Sequence, residues 1–302
     1  MSTTTPEARP LSTALGAEVT GLDISRRLDD DEVKFLRQVF DERGLVLFRN
    51  VDIPRLRQAY LSQLLMVADA VPTEDEAAAI ADQQASFLIS NREEGAAGPF
   101  GRLLYHCDGM WSEWPYEVIS LFAVAVEKPV VPTWYVSSAN GWTTLPDDLR
   151  ASVEGLRVEQ VAGPEYVHER RQKGYEGELV QAKRDYVPSY ETPVVYTHPR
   201  TGQPLLFVTE GMTRGVVGMD PDASEDLLEP IFAHLYAEEN RLEFEWEPGD
   251  LVLWDNLSIQ HGRPYVALEG PARTLRKIGL PMPEEAIAAS LVDTYEEVET
   301  VS

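Results

Sequence analysis

The chain has a single cysteine, Cys107, in 302 residues. That excludes an internal disulfide framework and is what a reducing compartment leads one to expect. Cationic residues are also scarce: 26 Lys and Arg stand against 51 Asp and Glu, for a formal net charge of -25. Such a field favours solubility and repels nucleic acid and anionic membrane, so neither is expected as a partner. It also means that an anionic substrate needs a local basic pocket working against the global charge. No apolar run approaches the ~20 residues of a membrane span. The opening stretch Met1–Val19 has no apolar core of signal-peptide length. Cytoplasmic residence is therefore expected. No internal repeat and no Gly/Ser linker divides the chain, and residues 1–302 are expected to form one domain able to bury a full core.

What is present reads as a few helices set on many strands. Residues 1–12, rich in Thr, Ser and Pro, are expected to be a loose tail. A strand over 16–23 precedes a helix over Asp29–Arg43, where Val33, Leu36, Val39 and Phe40 share one face. A glycine stop at Gly44 opens a buried strand to Arg49, and a second helix is predicted over Ile53–Val67. From Phe87 onward, short apolar runs recur between Gly, Pro, Asn and Asp: 87–90, 103–105, 118–126, 133–136, 194–197, 205–208, 251–254 and 273–280. That texture predicts a mainly β, α+β molecule built on a sandwich or barrel. One helix is predicted within it over Ala223–Glu239, kinked or broken at Pro230. The polar stretch Tyr166–Tyr190, carrying four tyrosines, is expected to be a lid loop, and 284–302 an acidic tail that frays.

The chemistry concentrates in His106-Cys107-Asp108 and, far downstream, His261 and Arg273. On a strand, His106 and Asp108 would project from one face while Cys107 packs on the other. His261 follows a turn and a buried strand, Gly249 to Trp254, and is expected on an exposed polar loop. Two imidazoles and one carboxylate on one face of a metal leave open positions, as in non-haem Fe(II) oxygenases. The same donors also bind zinc, so a zinc hydrolase stays open, as does a jelly-roll binding protein that turns nothing over. An arginine beyond the second histidine gives a planar, bidentate partner for a carboxylate-bearing co-substrate. His168, His198 and His234 sit in polar or helical contexts and are read as structural.

Four ordered blocks carry a resemblance: Gly16 to Phe48; Leu104-Tyr105-His106-Cys107-Asp108-Gly109; Pro193 to Gly202; and Gly249 to His261 with Arg273 beyond. Across roughly Gly16 to Pro281 the chain resembles the TauD/TfdA family of Fe(II)- and 2-oxoglutarate-dependent dioxygenases. The resemblance implies a double-stranded β-helix (jelly-roll) core with flanking helices. It implies iron held by His106, Asp108 and His261, and the far carboxylate of 2-oxoglutarate held by Arg273 with help from Thr133. It implies use of O2, release of succinate and CO2, and hydroxylation of a C–H bond, with desaturation or cyclisation as other outcomes. A homo-oligomer is also in keeping with it.

Departures from the family pattern bear on the substrate. Lys277 stands where many relatives carry a second, anion-binding arginine, and Arg276 falls on the opposite strand face. A point charge in place of a planar fork argues against a sulfonate. Met110 and Trp111 are expected to line an apolar pocket, with Asn91, Arg102, Arg276 and Lys277 as polar candidates for substrate contact. The expected substrate is a small organic acid, from secondary metabolism by preference, with sulfonate or aryloxyacid catabolism as the alternative.

Overall fold

The computed structural model describes residues 5–66, 88–172 and 187–280. The chain begins with β1 (Glu7–Pro10), β2 (Ala17–Thr20), α1 (Asp30–Arg43), β3 (Leu45–Phe48) and α2 (Arg55–Leu64). It continues through β4 (Leu88–Ser90), β5 (Gly101–His106), β6 (Val118–Val126), β7 (Thr133–Ser137), α3 (Ser138–Thr144), α4 (Asp147–Val153) and β8 (Arg157–Val161). After α5 (Glu169–Gln172) come β9 (Ser189–Pro193), β10 (Val195–Thr197), β11 (Pro204–Leu206), β12 (Thr213–Val216) and α6 (Pro221–Leu235). The last strands are β13 (Arg241–Phe244), β14 (Leu251–Asp255), β15 (Ile259–Val266) and β16 (Arg273–Leu280).

Two main sheets form the predicted jelly roll. One runs β1-β2-β3-β14-β6-β16-β4, the other β13-β7-β15-β5. Leu45, Leu47, Leu121, Val252, Trp254 and Leu275 of the first sheet pack against Tyr135, Phe244 and Ile259 of the second. The outer face of the larger sheet (Val46, Phe48, Leu251, Leu253) is covered by Val33, Leu36 and Phe40 of α1 and Leu61 and Leu64 of α2. The outer face of the smaller sheet (Tyr105, Val136) meets Leu228, Ile231 and Leu235 of α6. The central strands β3 and β14 are therefore buried on both faces, which is why they read as continuous apolar runs.

Helix α1 starts and stops where the sequence says it should. Asp29 and Glu32 form a capping box, and Gly44 takes the left-handed conformation at φ 67° that closes it. A Cβ on Gly44 would also come within 2.8 Å of Ile259 on β15, so the glycine lets helix and sheet approach.

Several expectations are corrected. Residues 7–10 are not tail but β1, paired with β2 and braced by Arg9 and Glu18 at 2.6 Å; every side chain of β1 is exposed, so no apolar pattern marked it. The second helix stops at Leu64. Helix α6 ends at Leu235 and runs on through Pro230. The strands β8, β12 and β13 were not anticipated, being short and partly polar. The start of the supposed lid is anchored: Arg171 of α5 pairs at 3.0 Å with buried Glu225 of α6, and Arg170 reaches Asp226. The end of that stretch is also not loop, since Ser189 and Tyr190 open β9 and pair with Val161 and Gln160 of β8. Residues 173–186 of it and the acidic tail, 284–302, lie outside the described residues. Among the described residues no helix is long and apolar enough to cross a membrane.

Candidate metal centre

His261 lies not on an exposed loop but on β15, where it is buried and paired in register with His106 of β5 on one side and Tyr135 of β7 on the other. Gly262 makes this fit possible: a Cβ there would come within 2.9 Å of the Leu103 carbonyl. Strand β5 ends at His106, so Asp108 is delivered by a turn rather than by strand alternation. Asn256 fixes that turn. Its Oδ1 accepts from the Asp108 N–H at 3.0 Å, and its Nδ2 donates to the carbonyls of Asp108 and Tyr116, each at 2.9 Å.

The three side chains converge. His106 Nε2 lies 3.6 Å from Asp108 Oδ1, and His261 Nε2 lies 3.7 Å from Asp108 Oδ2. One ligand atom from each falls within 4.8 Å of the others, a grouping that could hold a metal ion. The separations exceed hydrogen-bonding distance but suit three ligands about a common centre. His106 Nδ1 is 2.8 Å from the Leu104 carbonyl, which places the proton there and leaves the Nε2 lone pair facing inward. His261 is held by ring packing, 4.9 Å from Trp254 and 4.2 Å from His106 between centroids.

Electrostatics keep these groups in their ligating forms. Burial pushes both histidines below the usual imidazole range, so they remain neutral. Burial would raise the Asp108 carboxyl, but the charge and hydrogen bond of Lys277 above all outweigh it and hold the group well down. The Lys277 ammonium donates to Asp108 Oδ2 at 2.6 Å.

On the same inner face, Arg273 is buried, with its Nη2 donating to Thr133 Oγ1 at 3.0 Å and its Nε to the Val131 carbonyl at 3.2 Å. No carboxylate among the described residues pairs with it. Burial, reinforced by the charge of Arg263, pushes its pKa down to about 9. A buried guanidinium without a counter-ion is costly. It fits the distal carboxylate of a dicarboxylate ligand.

The other sequence candidates divide. Lys277 and Thr133 join the site. Asn91 is structural: its Oδ1 accepts from the Arg273 N–H at 2.9 Å and its Nδ2 binds the carbonyls of Ala267 and Pro271. Arg102 faces Glu210 at 3.6 Å. Arg276 points to the opposite face, toward Gln58 and the Ile53 carbonyl at the start of α2, stacked over Phe122. Met110 is core rather than pocket lining, 1% exposed among Cys107, Leu205, Phe207 and Leu257. Trp111 is half-buried, just past the Asp108 turn. Sequence reasoning missed Asn256, whose role follows from tertiary contacts alone.

The model of the taurine catabolism dioxygenase TauD, TfdA family matches residues 7–278. The chain belongs to the TauD/TfdA family. It is 26% identical over 270 residues to the alpha-ketoglutarate-dependent 2,4-dichlorophenoxyacetate dioxygenase of Cupriavidus pinatubonensis, covering 85% of this chain and 92% of that one. It is 27% identical to pentalenolactone F synthase of Streptomyces avermitilis, covering 83% and 86%. Its fold matches the crystal structure of a taurine dioxygenase from Burkholderia xenovorans with a TM-score of 0.70 at 25% identity, covering 91% of this chain and 90% of that one. This TauD/TfdA protein is accordingly an Fe(II)- and 2-oxoglutarate-dependent dioxygenase.

Proposed function

We propose that this enzyme oxidises an unactivated C–H bond of a small organic acid, with His106, Asp108 and His261 holding the iron and Arg273 and Thr133 holding 2-oxoglutarate. The observation that carries the reading is the pairing of two features on one inner face. Three ligand atoms converge within 4.8 Å, and the guanidinium of Arg273 is buried without a carboxylate among the described residues. When bound, ferrous iron with 2-oxoglutarate and O2 supplies the oxidising power, with succinate and CO2 as by-products.

The chain's own residues do the rest. Neutral His106 and His261 offer lone pairs, and Asp108 offers a carboxylate that Lys277 keeps ionised in a buried setting. The Lys277 contact also occupies one lone pair of Asp108 Oδ2, which restricts how the carboxylate can turn. Arg273 and Thr133 would hold the far carboxylate of the co-substrate and so restrict its orientation in the site.

The acid character of the substrate draws on the relative that acts, by its name, on 2,4-dichlorophenoxyacetate. A role in secondary metabolism draws on the likeness to pentalenolactone F synthase. Anaerobic titration with Fe(II) and 2-oxoglutarate should raise a weak visible charge-transfer band. Oxygen-dependent succinate release should then increase with candidate acids, 2,4-dichlorophenoxyacetate and taurine among them. No band, with hydrolysis supported by zinc in the absence of O2, would move the protein to the hydrolase class. Binding of acids without succinate would leave a silent binding protein.

A further inference from the structure

We propose that Tyr135 is a third donor to the distal carboxylate of 2-oxoglutarate, beside Arg273 and Thr133. The inference rests on the function proposed above. Tyr135 is 0% exposed, its hydroxyl lies beside Thr133, and no acceptor among the described residues takes its proton. It sits two residues from Thr133 on β7, hence on the same face, and opposite His261 in the register with β15. That places it between the metal-ligand group and the arginine. Its ring is held edge-on against Trp254, with centroids 5.3 Å apart at 64°.

The polar atoms around it are all donors or already used. Thr133 Oγ1 accepts from Arg273 Nη2 at 3.0 Å and from Trp246 Nε1 at 2.9 Å. Both of its lone pairs are taken, so the neighbouring Tyr135 proton finds no acceptor there. Arg273 has none to give. Three donor groups thus gather with no acceptor between them, and a carboxylate with four lone-pair sites is the ligand that answers this. Burial, only partly opposed by Arg273 and by the contact with Thr133, raises the phenol well above its usual range, so the hydroxyl keeps its proton. A phenylalanine would fill the same space without an orphaned polar atom. A hydroxyl retained in such a place calls for a partner that arrives with the ligand.

The test is Tyr135→Phe, read by anaerobic titration of the Fe(II)-loaded protein with 2-oxoglutarate and by melting of the ligand-free protein. We expect 2-oxoglutarate to bind about tenfold more weakly, with Fe(II) affinity unchanged. The ligand-free melting temperature should hold or rise, since an unmet buried hydroxyl has been removed. A 2-oxoglutarate affinity within twofold of wild type overturns the assignment. So does a ligand-free melting temperature lowered by several degrees, which would give the hydroxyl to the fold. Absence of 2-oxoglutarate binding in the wild type overturns the proposed function itself, and this inference with it.

Discussion

Two buried clusters in this molecule are built from the same chemistry, histidine with aspartate and a nearby cation, yet they are spaced differently. Around Asp108, both imidazole Nε2 atoms stand off at 3.6 and 3.7 Å, and only Lys277 makes a short contact. Around Asp255, His198 Nε2 is at 2.8 Å and Arg200 Nη2 at 2.5 Å, while Arg200 Nε reaches Asp41 at 2.5 Å. His198 Nδ1 in turn accepts the N–H groups of Arg200 and Thr201. The second cluster is closed, each charge answered by the protein. The first converges without closing. Residue type does not separate a site from a strut here; unmet spacing does.

Deleting one imidazole from each cluster should split the consequences. His106→Ala should lower 2-oxoglutarate turnover by ~10³-fold or more, through loss of a metal ligand. Its melting temperature should shift little, because the ring makes one hydrogen bond, to the Leu104 carbonyl. Near-normal turnover in that variant would remove the metal assignment. His198→Ala should do the reverse. Losing a fully enclosed ring that accepts two N–H bonds and faces a buried carboxylate should cost about 2–3 kcal/mol. That corresponds to a melting point lower by roughly 4–12 °C. Fe(II) and 2-oxoglutarate affinities should stay near wild type in the folded protein. If His198→Ala instead abolished iron binding at full stability, the two clusters would not be distinct in kind.

The sequence reading went furthest where one residue type carries one job. The histidines and the aspartate could be named because two imidazoles and a carboxylate have few common uses together, and Arg273 because its place beyond the distal histidine matches the family pattern. The helix α1 was legible from its caps and its apolar face. What was not legible depends on neighbours distant in the chain. Met110 looked like pocket lining by its place after Asp108, but the turn carries it down beside Leu205 and Phe207. Arg276 was read on the strand face opposite Lys277, as alternation has it, but that its partners there are Gln58 and the Ile53 carbonyl was not legible. His261 was expected on a loop because Gln260, Gly262 and Arg263 look polar. In the fold, Gln260 is satisfied by Ser138 and the Val208 carbonyl, and Arg263 by the carbonyls of Gly98 and Phe100. Polar strand residues hidden by such pairing leave no periodic trace.

The closed cluster and the open one are joined by consecutive residues, and the joint yields the smallest and most discriminating expectation. Asp255 Oδ1 accepts the N–H groups of Leu257 and Ser258, at 3.0 and 3.2 Å, fixing the turn from which Asn256 reaches across to Asp108. Asn256 is fully buried and holds both the N–H and the carbonyl of Asp108, so it sets where the carboxylate starts from. Asn256→Ala leaves all three metal-ligand side chains in place but frees the turn that presents one of them. Outer partners of this kind typically change metal affinity by 10–100-fold. We expect Fe(II) or Co(II) to bind about tenfold more weakly, and the visible spectrum of the Co(II) form to broaden as the geometry relaxes. The intrinsic 2-oxoglutarate affinity of the metal-saturated protein should move much less, because Arg273 and Thr133 do not touch Asn256. Some loss of stability is expected as well, since three hydrogen bonds go with the side chain. Stability loss with unchanged metal affinity would make Asn256 a strut like His198. Weaker metal binding at a given stability would make it the residue through which the closed cluster holds the open one in shape.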